Sequence, residues 1–395
     1  MASANATLTL AEKARRLAPT LRERAEETAK LRRLPDSTWK DLITTGLVRG
    51  LQPKRWGGVE ADLRDFYEGV VEVARVDGST GWVLGIAGVH PWQTATFPLQ
   101  TQEEMWGQDS TVINSSSYAP TGKAVRVPGG YRLNGRWSFS TGCDHCSWVN
   151  LGAIVGTVMI EGKEVPDFHS FLLPRTDYRI DDNWHVVGLA GTGSKDIVVE
   201  DAFVPEHRSQ SHWDYVFDRP LPGWEVNPAP LYRLPFGPVF NTTLAAAVIG
   251  TAAGFLDQWI EINRTRKSGL GIHLAQDPST QQLLAEARYV IDNAMVRLYI
   301  DAEALMASVR GGESIPLKRR AELRYHACRS AQLCSRMVDR LFEASSGRAI
   351  FFDHPLQRRY QDVKAMMGHT YLNPDQPARL YGAMELGLPV LDAFL

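Results

Sequence analysis

Residues 134–148, with the sequence NGRWSFSTGCDHCSW, decide the fold of this chain. Their first half reads as a β-strand, and Gly142 marks the turn that follows it. Ser140 and Thr141 lie where the strand ends, so two hydroxyls stand beside backbone N–H groups. Such donors can meet a flat ring with polar edges. A turn capped by hydroxyls is the alternative interpretation, and the spacing alone favours it.

Helical periodicity flanks this region on both sides, so the chain is read as helices, then strands, then helices. Apolar residues at helical spacing predict helices over 8–33, 36–42, 62–75, 79–90, 240–266, 279–310, 317–346, 356–368 and 374–387. Short β-branched runs separated by Gly, Pro, Asn and Asp clusters predict an antiparallel barrel or sandwich over 111–208. Residues 209–235 lack a period and are interpreted as an irregular linker. The expected domains are therefore 1–108, 109–212 and 213–395.

Composition limits the classes of function. The chain has 395 residues and a formal net charge of −2, which gives no basic surface for nucleic acid. No N-terminal signal pattern and no apolar run of about 20 residues is recognised, so we expect a cytoplasmic protein that does not enter a membrane. Cys143 and Cys146 have zinc-like spacing, but Cys328 and Cys334 are not spaced as a second ligand pair. We expect free thiols and no metal site.

Two further segments complete the pattern: GLAGTGS at 188–194 and VVEDAFVP at 198–205. With residues 134–148 they resemble the flavin-binding middle domain of the acyl-CoA dehydrogenase fold. The WSFSTGCDH version is similar to group D two-component flavin-dependent monooxygenases, specifically their oxygenase components that hydroxylate a phenolic seco-steroid or p-hydroxyphenylacetate. The resemblance implies an α+β chain with an N-terminal helical domain, a middle antiparallel β-barrel and a C-terminal four-helix bundle, assembled as a homotetramer.

The resemblance also implies roles for particular residues. Thr141, or its neighbour Ser140, would meet flavin N5, and His90 would line the substrate pocket. His369 would approach the substrate phenol or the flavin C4a position. The implied cofactor-binding residues are Ser115, Ser116, Ser117, Thr141, Gly142, Arg264 and Arg266. The pocket candidates are Trp82, Trp92, His145 and Phe236. Core packing explains the aromatic candidates equally well, and a lone histidine in a helix more often caps it than catalyses.

The residues around His369 bear on the type of reaction. Met367-Gly368-His369-Thr370 has no carboxylate where an acyl-CoA dehydrogenase keeps its base, which argues against dehydrogenation. No Gly-x-Gly-x-x-Gly in a βαβ context is found, so we expect the chain not to bind a nicotinamide cofactor. The resemblance implies that a separate reductase supplies reduced flavin, FADH2 or FMNH2. With O2, and through a C4a-hydroperoxyflavin, the resemblance implies hydroxylation of a phenolic or indolic substrate. N-oxygenation of an amine, a dehydrogenase-like flavoprotein and a non-catalytic flavoprotein remain as alternatives.

Overall fold

The computed structural model of the chain describes residues 8–395, in which helices precede and follow one sheet. The helices before the sheet are α1 (Leu10–Leu31), α2 (Asp36–Thr44), α3 (Leu63–Val76), α4 (Gly78–Thr94) and α5 (Leu99–Trp106). The predicted end of α4 at His90 is wrong, because the helix continues through Pro91 for another turn. His90 therefore lies inside a buried helix and does not cap one. Helix α5 was not predicted.

The sheet has seven strands: β1 (Asn114–Val127), β2 (Gly130–Ser140), β3 (Trp148–Ile160), β4 (Lys163–Pro174), β5 (Arg179–Asp181), β6 (Lys195–Pro205) and β7 (Ser209–Ser211). Their order is β5-β6-β2-β1-β3-β4-β7. The prediction of a wholly antiparallel arrangement is corrected, because β1 and β3 pair in parallel. Strand β1 is long, and its register against β3 shifts between Ser117 and Gly122.

Trp137 anchors the end of β2 that carries the hydroxyls. Its ring is fully buried, and its Nε1 donates to the carbonyl of Gly152 at 2.8 Å. Gly122 on β1 leaves room for this ring, since a Cβ there would lie 1.9 Å from Trp137 Cζ2. Glycine at 122 and tryptophan at 137 thus form a matched pair that packs β2 closely against β1.

The helices after the sheet are α6 (His212–Val216), α7 (Phe236–Thr265), α8 (Pro278–Arg310), α9 (Leu317–Glu343), α10 (Gln357–Met366) and α11 (Asp375–Glu385). Helix α7 is long and apolar enough to cross a membrane by composition, but its most apolar 18-residue window is entirely buried inside the protein. It packs against α3, α4 and α9 and is the central core helix. All four cysteines are buried free thiols.

Candidate functional site

Three hydroxyls form a buried chain beside the turn that ends β2. Thr141 Oγ1 lies 2.8 Å from Ser194 Oγ, which lies 2.7 Å from Thr192 Oγ1. Thr192 in turn donates to the carbonyl of Leu189 at 2.9 Å. Because a hydroxyl has one proton, Ser194 must donate to Thr192 and Thr141 must donate to Ser194. Thr141 Oγ1 is left as a hydrogen-bond acceptor.

Ser140 and the serines of β1 lie next to this chain. Ser140 Oγ donates to Ser115 Oγ at 2.9 Å, and Ser117 Oγ donates to the carbonyl of Ser138 at 2.7 Å. Ser116 is buried beside them. Between these hydroxyls Phe139 has a φ of 68° and is 70% exposed, which is an uncommon conformation for a bulky residue. Such local strain is typical of functional sites.

Helix α4 connects the hydroxyl turn to the C-terminal helices. Val83 packs on Gly142, where an added Cβ would lie 3.2 Å from Val83 Cγ1. The ring of Trp82 contacts the ring of His369 edge-on at 5.8 Å. His90 lies two helical turns further on the same face as Trp82, about 12 Å along the axis. One helix therefore places both histidines of the candidate site relative to the hydroxyls.

The two histidines have different surroundings. His90 is fully buried, and neither of its ring nitrogens has a hydrogen-bond partner within residues 8–395. Burial lowers the pKa of His90 to about 3, so its imidazole is neutral. The Nδ1 atom of His369 accepts from the backbone N–H of Tyr371 at 3.2 Å, which places the remaining proton on Nε2. Burial lowers the pKa of His369 to about 4.

An aromatic wall surrounds His90. Its ring lies 5.7 Å from Phe240 and 6.2 Å from Tyr118, and Phe236 stacks on Phe240 at 4.2 Å. Trp92 packs behind these rings, with its Nε1 donating to the carbonyl of Leu231 at 2.8 Å. Phe236 therefore lines the wall, while Trp92 supports it from the core.

A polar network behind this wall was not predicted from the sequence. Gln93 Oε1 accepts from Tyr118 and from Asn150 Nδ2, and Gln93 Nε2 donates to Ser170 Oγ at 3.3 Å. Ser170 Oγ also bonds His212 Nε2 at 2.7 Å. His212 begins α6, inside the segment that was interpreted as a linker. A lone histidine in a stretch without periodicity gave no signal that could have selected it.

Three of the predicted site residues lie elsewhere. His145 stacks on Trp39 at 5.1 Å, and its Nε2 lies 2.9 Å from the carbonyl of Leu34. These contacts place it against the N-terminal helices and not in the aromatic wall. Arg264 pairs with Glu261, and Arg266 contacts Asn263 and the carbonyl of Ala344, at the far end of α7.

A buried carboxyl ties the hydroxyl loop to α10. Asp362 Oδ1 accepts from the backbone N–H of Leu189 at 2.6 Å, and its Oδ2 lies near the start of α4 at Gly78. Burial and the nearby charge of Asp77 raise the pKa of Asp362 to about 7. Leu189 is also where the hydroxyl chain ends, so this contact holds the segment that orients Thr141.

The hydrogen-bonding groups of the candidate site fit a flavin ring. A reduced flavin carries a ring N–H that needs an acceptor, and the hydroxyl chain leaves Thr141 Oγ1 able to accept a hydrogen bond. Asn114 Nδ2 and Asn150 Oδ1 are buried near the serines of β1 and have no partner in the part of the chain that the structure describes. Such atoms are rare in native proteins unless a ligand or water satisfies them.

Comparison with known proteins agrees with this chemistry. Residues 242–374 match the model of the acyl-CoA dehydrogenase C-terminal domain family. The chain is 44% identical to the flavin-dependent monooxygenase oxygenase subunit HsaA of Rhodococcus jostii over 96% of this chain and 98% of the relative. It is 31% identical to the oxygenase component of an FADH2-dependent resorcinol hydroxylase from a Rhizobium species, over 94% of this chain and 92% of the relative.

A solved structure shows the same fold. The crystal structure of 3-HSA hydroxylase from Rhodococcus sp. RHA1 superposes with a TM-score of 0.92 at 42% identity, covering 98% of this chain and 99% of the other. The acyl-CoA dehydrogenase-like fold predicted from residues 134–148 and 188–205 is confirmed. At this identity and coverage, the chain belongs to the family of oxygenase components of two-component flavin-dependent monooxygenases.

Proposed function

We propose that this protein uses reduced flavin and O2 to hydroxylate an aromatic ring that bears a phenolic or indolic polar group. The observation that carries the proposal is His90, a neutral imidazole with both nitrogens unpaired among residues 8–395, set in a wall of aromatic rings. A flat apolar substrate with one polar group matches such a wall. An amine or sugar would match it less well.

Ser115, Ser116, Ser117, Ser140, Thr141 and Gly142 would hold the flavin ring. Reduced flavin, when bound, would supply the two electrons that activate O2, of which one oxygen atom enters the substrate and the other leaves as water. Thr141 Oγ1 would accept a hydrogen bond from the flavin ring N–H and so keep that proton on the ring. Thr141 acts there as an acceptor because its own proton is donated to Ser194. Ser194 and Thr192 act as positioning residues for that acceptor. Retaining the ring proton favours oxygen transfer over release of peroxide.

His90 and His369 would act on the substrate hydroxyl. A neutral His90 can accept a hydrogen bond from the phenol and so raise the electron density of the ring without becoming charged in the buried site. His369 presents Nε2–H, and it would donate to an oxygen at the reacting edge. Trp82 and Phe236 would flank the ring and exclude water. The contacts of His145 give it a packing role against Trp39.

The partners follow from the family. An oxygenase component takes reduced flavin from a separate reductase, and we place the protein in the cytoplasm. Arg264 and Arg266 lie at the exposed end of α7, where they could reach flavin phosphate bound in a neighbouring subunit. Helix α8 exposes Tyr289, Val296 and Ile300, and this apolar face suits a homotetramer.

The test supplies the purified protein with chemically reduced flavin, ¹⁸O2 and a panel of phenols, indoles and aromatic amines, and analyses products by mass spectrometry. We expect one ¹⁸O atom on a ring carbon of a phenol or indole. In His90→Phe, which keeps an aromatic ring but removes both nitrogens, product should fall at least tenfold, whereas the exposed His273→Gln should match the wild type. Label on nitrogen would indicate an N-oxygenase, and no labelled product with any compound would refute the proposal.

A further inference from the structure

His212 is a buried histidine that the proposed mechanism does not use. Its ring is fully buried and packs 4.6 Å from Phe236 and 4.5 Å from Phe168. Its Nε2 bonds Ser170, but its Nδ1 has no partner within the described part of the chain. A neighbouring histidine shows the contrast: both nitrogens of His169 are bonded, to Ser209 Oγ and to Asp167 Oδ2.

The network around Ser170 assigns the proton on His212. Ser170 Oγ accepts a hydrogen bond from Gln93 Nε2. The side-chain amide of Gln93 is oriented this way because its Oε1 accepts a hydrogen bond from Asn150 Nδ2. No other acceptor for the Ser170 proton is found in residues 8–395, so Ser170 donates it to His212 Nε2. A neutral imidazole that accepts at Nε2 carries its proton on Nδ1. The unpaired atom is therefore a hydrogen-bond donor.

His212 shares one aromatic wall with His90. Tyr118 contacts both rings, at 6.2 Å from His90 and 6.0 Å from His212, and its own hydroxyl is committed to Gln93. Phe394 of the C-terminal tail closes the far side, 5.5 Å from His212 and 5.4 Å from Tyr371. A molecule held by its phenol at His90 could thus extend along this wall toward a second donor.

We propose that His212 Nδ1–H binds an uncharged oxygen, a ketone or hydroxyl, on the substituent of the aromatic substrate that lies remote from the hydroxylated ring. His212 is then a specificity-determining residue, and Ser170 and Gln93 position it. The inference rests on the proposed function, because the ligand is that function's substrate. A carboxylate is disfavoured, because the donor is neutral and lies among apolar rings, where a buried unpaired charge is costly.

The proposal predicts how tightly two matched ligands bind relative to each other. 4-(4-Hydroxyphenyl)butan-2-one and 4-butylphenol are both para-substituted phenols with a four-carbon chain, and the first carries a ketone oxygen in that chain. In an apolar pocket without a donor, the ketone should bind more weakly because it must give up its hydrogen bonds to water. With His212 Nδ1–H available, the ketone should bind as tightly as the alkyl phenol or more tightly.

The test measures the dissociation constants of both ligands by calorimetry, with flavin present, in the wild type, His212→Phe, Ser170→Ala and the control His273→Gln. The ratio of the two constants is the readout, so a uniform loss of affinity cancels. In His212→Phe we expect the affinity for the ketone to fall by about tenfold relative to that for 4-butylphenol. In Ser170→Ala we expect a smaller relative fall. His273→Gln should keep the ratio of the wild type.

Each outcome decides one question. A ratio unchanged in both His212→Phe and Ser170→Ala, or a wild type that already prefers 4-butylphenol by tenfold, overturns the role of His212. If His212→Phe does not fold, the wild-type preference and Ser170→Ala still decide. Failure of the proposed function is seen separately, as ligand binding without any ¹⁸O-labelled product.

Discussion

Replacing Asp362 by asparagine should change how the stability of this protein depends on pH. The side chain is buried, Oδ1 accepts from Leu189 N–H at 2.6 Å, and Oδ2 has no partner in residues 8–395. Burial and Asp77 raise its pKa from 3.8 to about 7, although Arg358 and Arg359 act in the opposite direction. Asparagine keeps an oxygen acceptor for Leu189 and cannot ionise.

The sign and size follow from the shifted pKa. The unfolded carboxyl loses its proton near pH 4 and the folded one near pH 7, so the folded state holds the proton more tightly. The stabilisation from this proton is complete below pH 4 and is lost as the pH rises to 7. At about 1.4 kcal/mol per pKa unit, the loss approaches roughly 4 kcal/mol as an upper limit. Asp362→Asn should not show this loss.

The assay is thermal unfolding followed by tryptophan fluorescence from pH 4.5 to 8.5. The difference between the midpoints of the wild type and Asp362→Asn should be smallest at pH 4.5, and it should widen with pH until the variant unfolds a few degrees higher at pH 8. Asp375→Asn, which changes an exposed carboxylate, is the control and should follow the wild type. Parallel pH profiles for the wild type and Asp362→Asn would show that this carboxyl titrates normally and would refute the reasoning.

Three substitutions test the hydroxyls beside the end of β2, and a fourth tests the packing of Trp137 against β1. Thr141→Val and Ser140→Ala should raise the hydrogen peroxide released per product formed, and Thr192→Val should raise it less, because it only disorients Ser194. Unchanged coupling in Thr141→Val and Thr192→Val would remove the role of the hydroxyl chain, and unchanged coupling in Ser140→Ala would remove that of Ser140. Gly122→Ala should destabilise the protein by about 2 kcal/mol or more, because its Cβ would overlap the buried ring of Trp137, whereas Gly269→Ala, with nothing within 4 Å, should be neutral in urea unfolding.

Much of the fold could be predicted because its signals are local. The periods of α1, α3, α8 and α9 each lie within one segment, and the predicted ends fall within a few residues of the observed ones. The parallel pairing of β1 with β3 could not be predicted in this way, because it depends on which strands meet across the sheet. Helix α5 is short and has few apolar residues, so its period was too weak to detect.

The same difference between local signals and contacts of distant segments applies to the candidate site. Ser140, Thr141, His90 and His369 could be selected because a resemblance and their residue types pointed to them. Their surroundings could not, since Thr141 depends on Ser194, 53 residues away. His212 depends on Ser170, 42 residues away, and on a glutamine that follows His90 by three positions in α4. These contacts exist only once helix and sheet have packed together.

The buried atoms without a partner explain why the region of the hydroxyls and the aromatic wall is suited to a ligand. Among residues 8–395, both nitrogens of His90, Nδ1 of His212, Asn114 Nδ2 and Asn150 Oδ1 are buried without a partner. A buried polar atom left without a partner costs about 1–3 kcal/mol, so each of these atoms favours a ligand or water that can pair with it. In the proposed function, a flavin and an aromatic substrate that pair with these atoms would recover that free energy on binding. The same groups would then impose selectivity, because a ligand of similar shape that lacks the matching polar atoms recovers none of it.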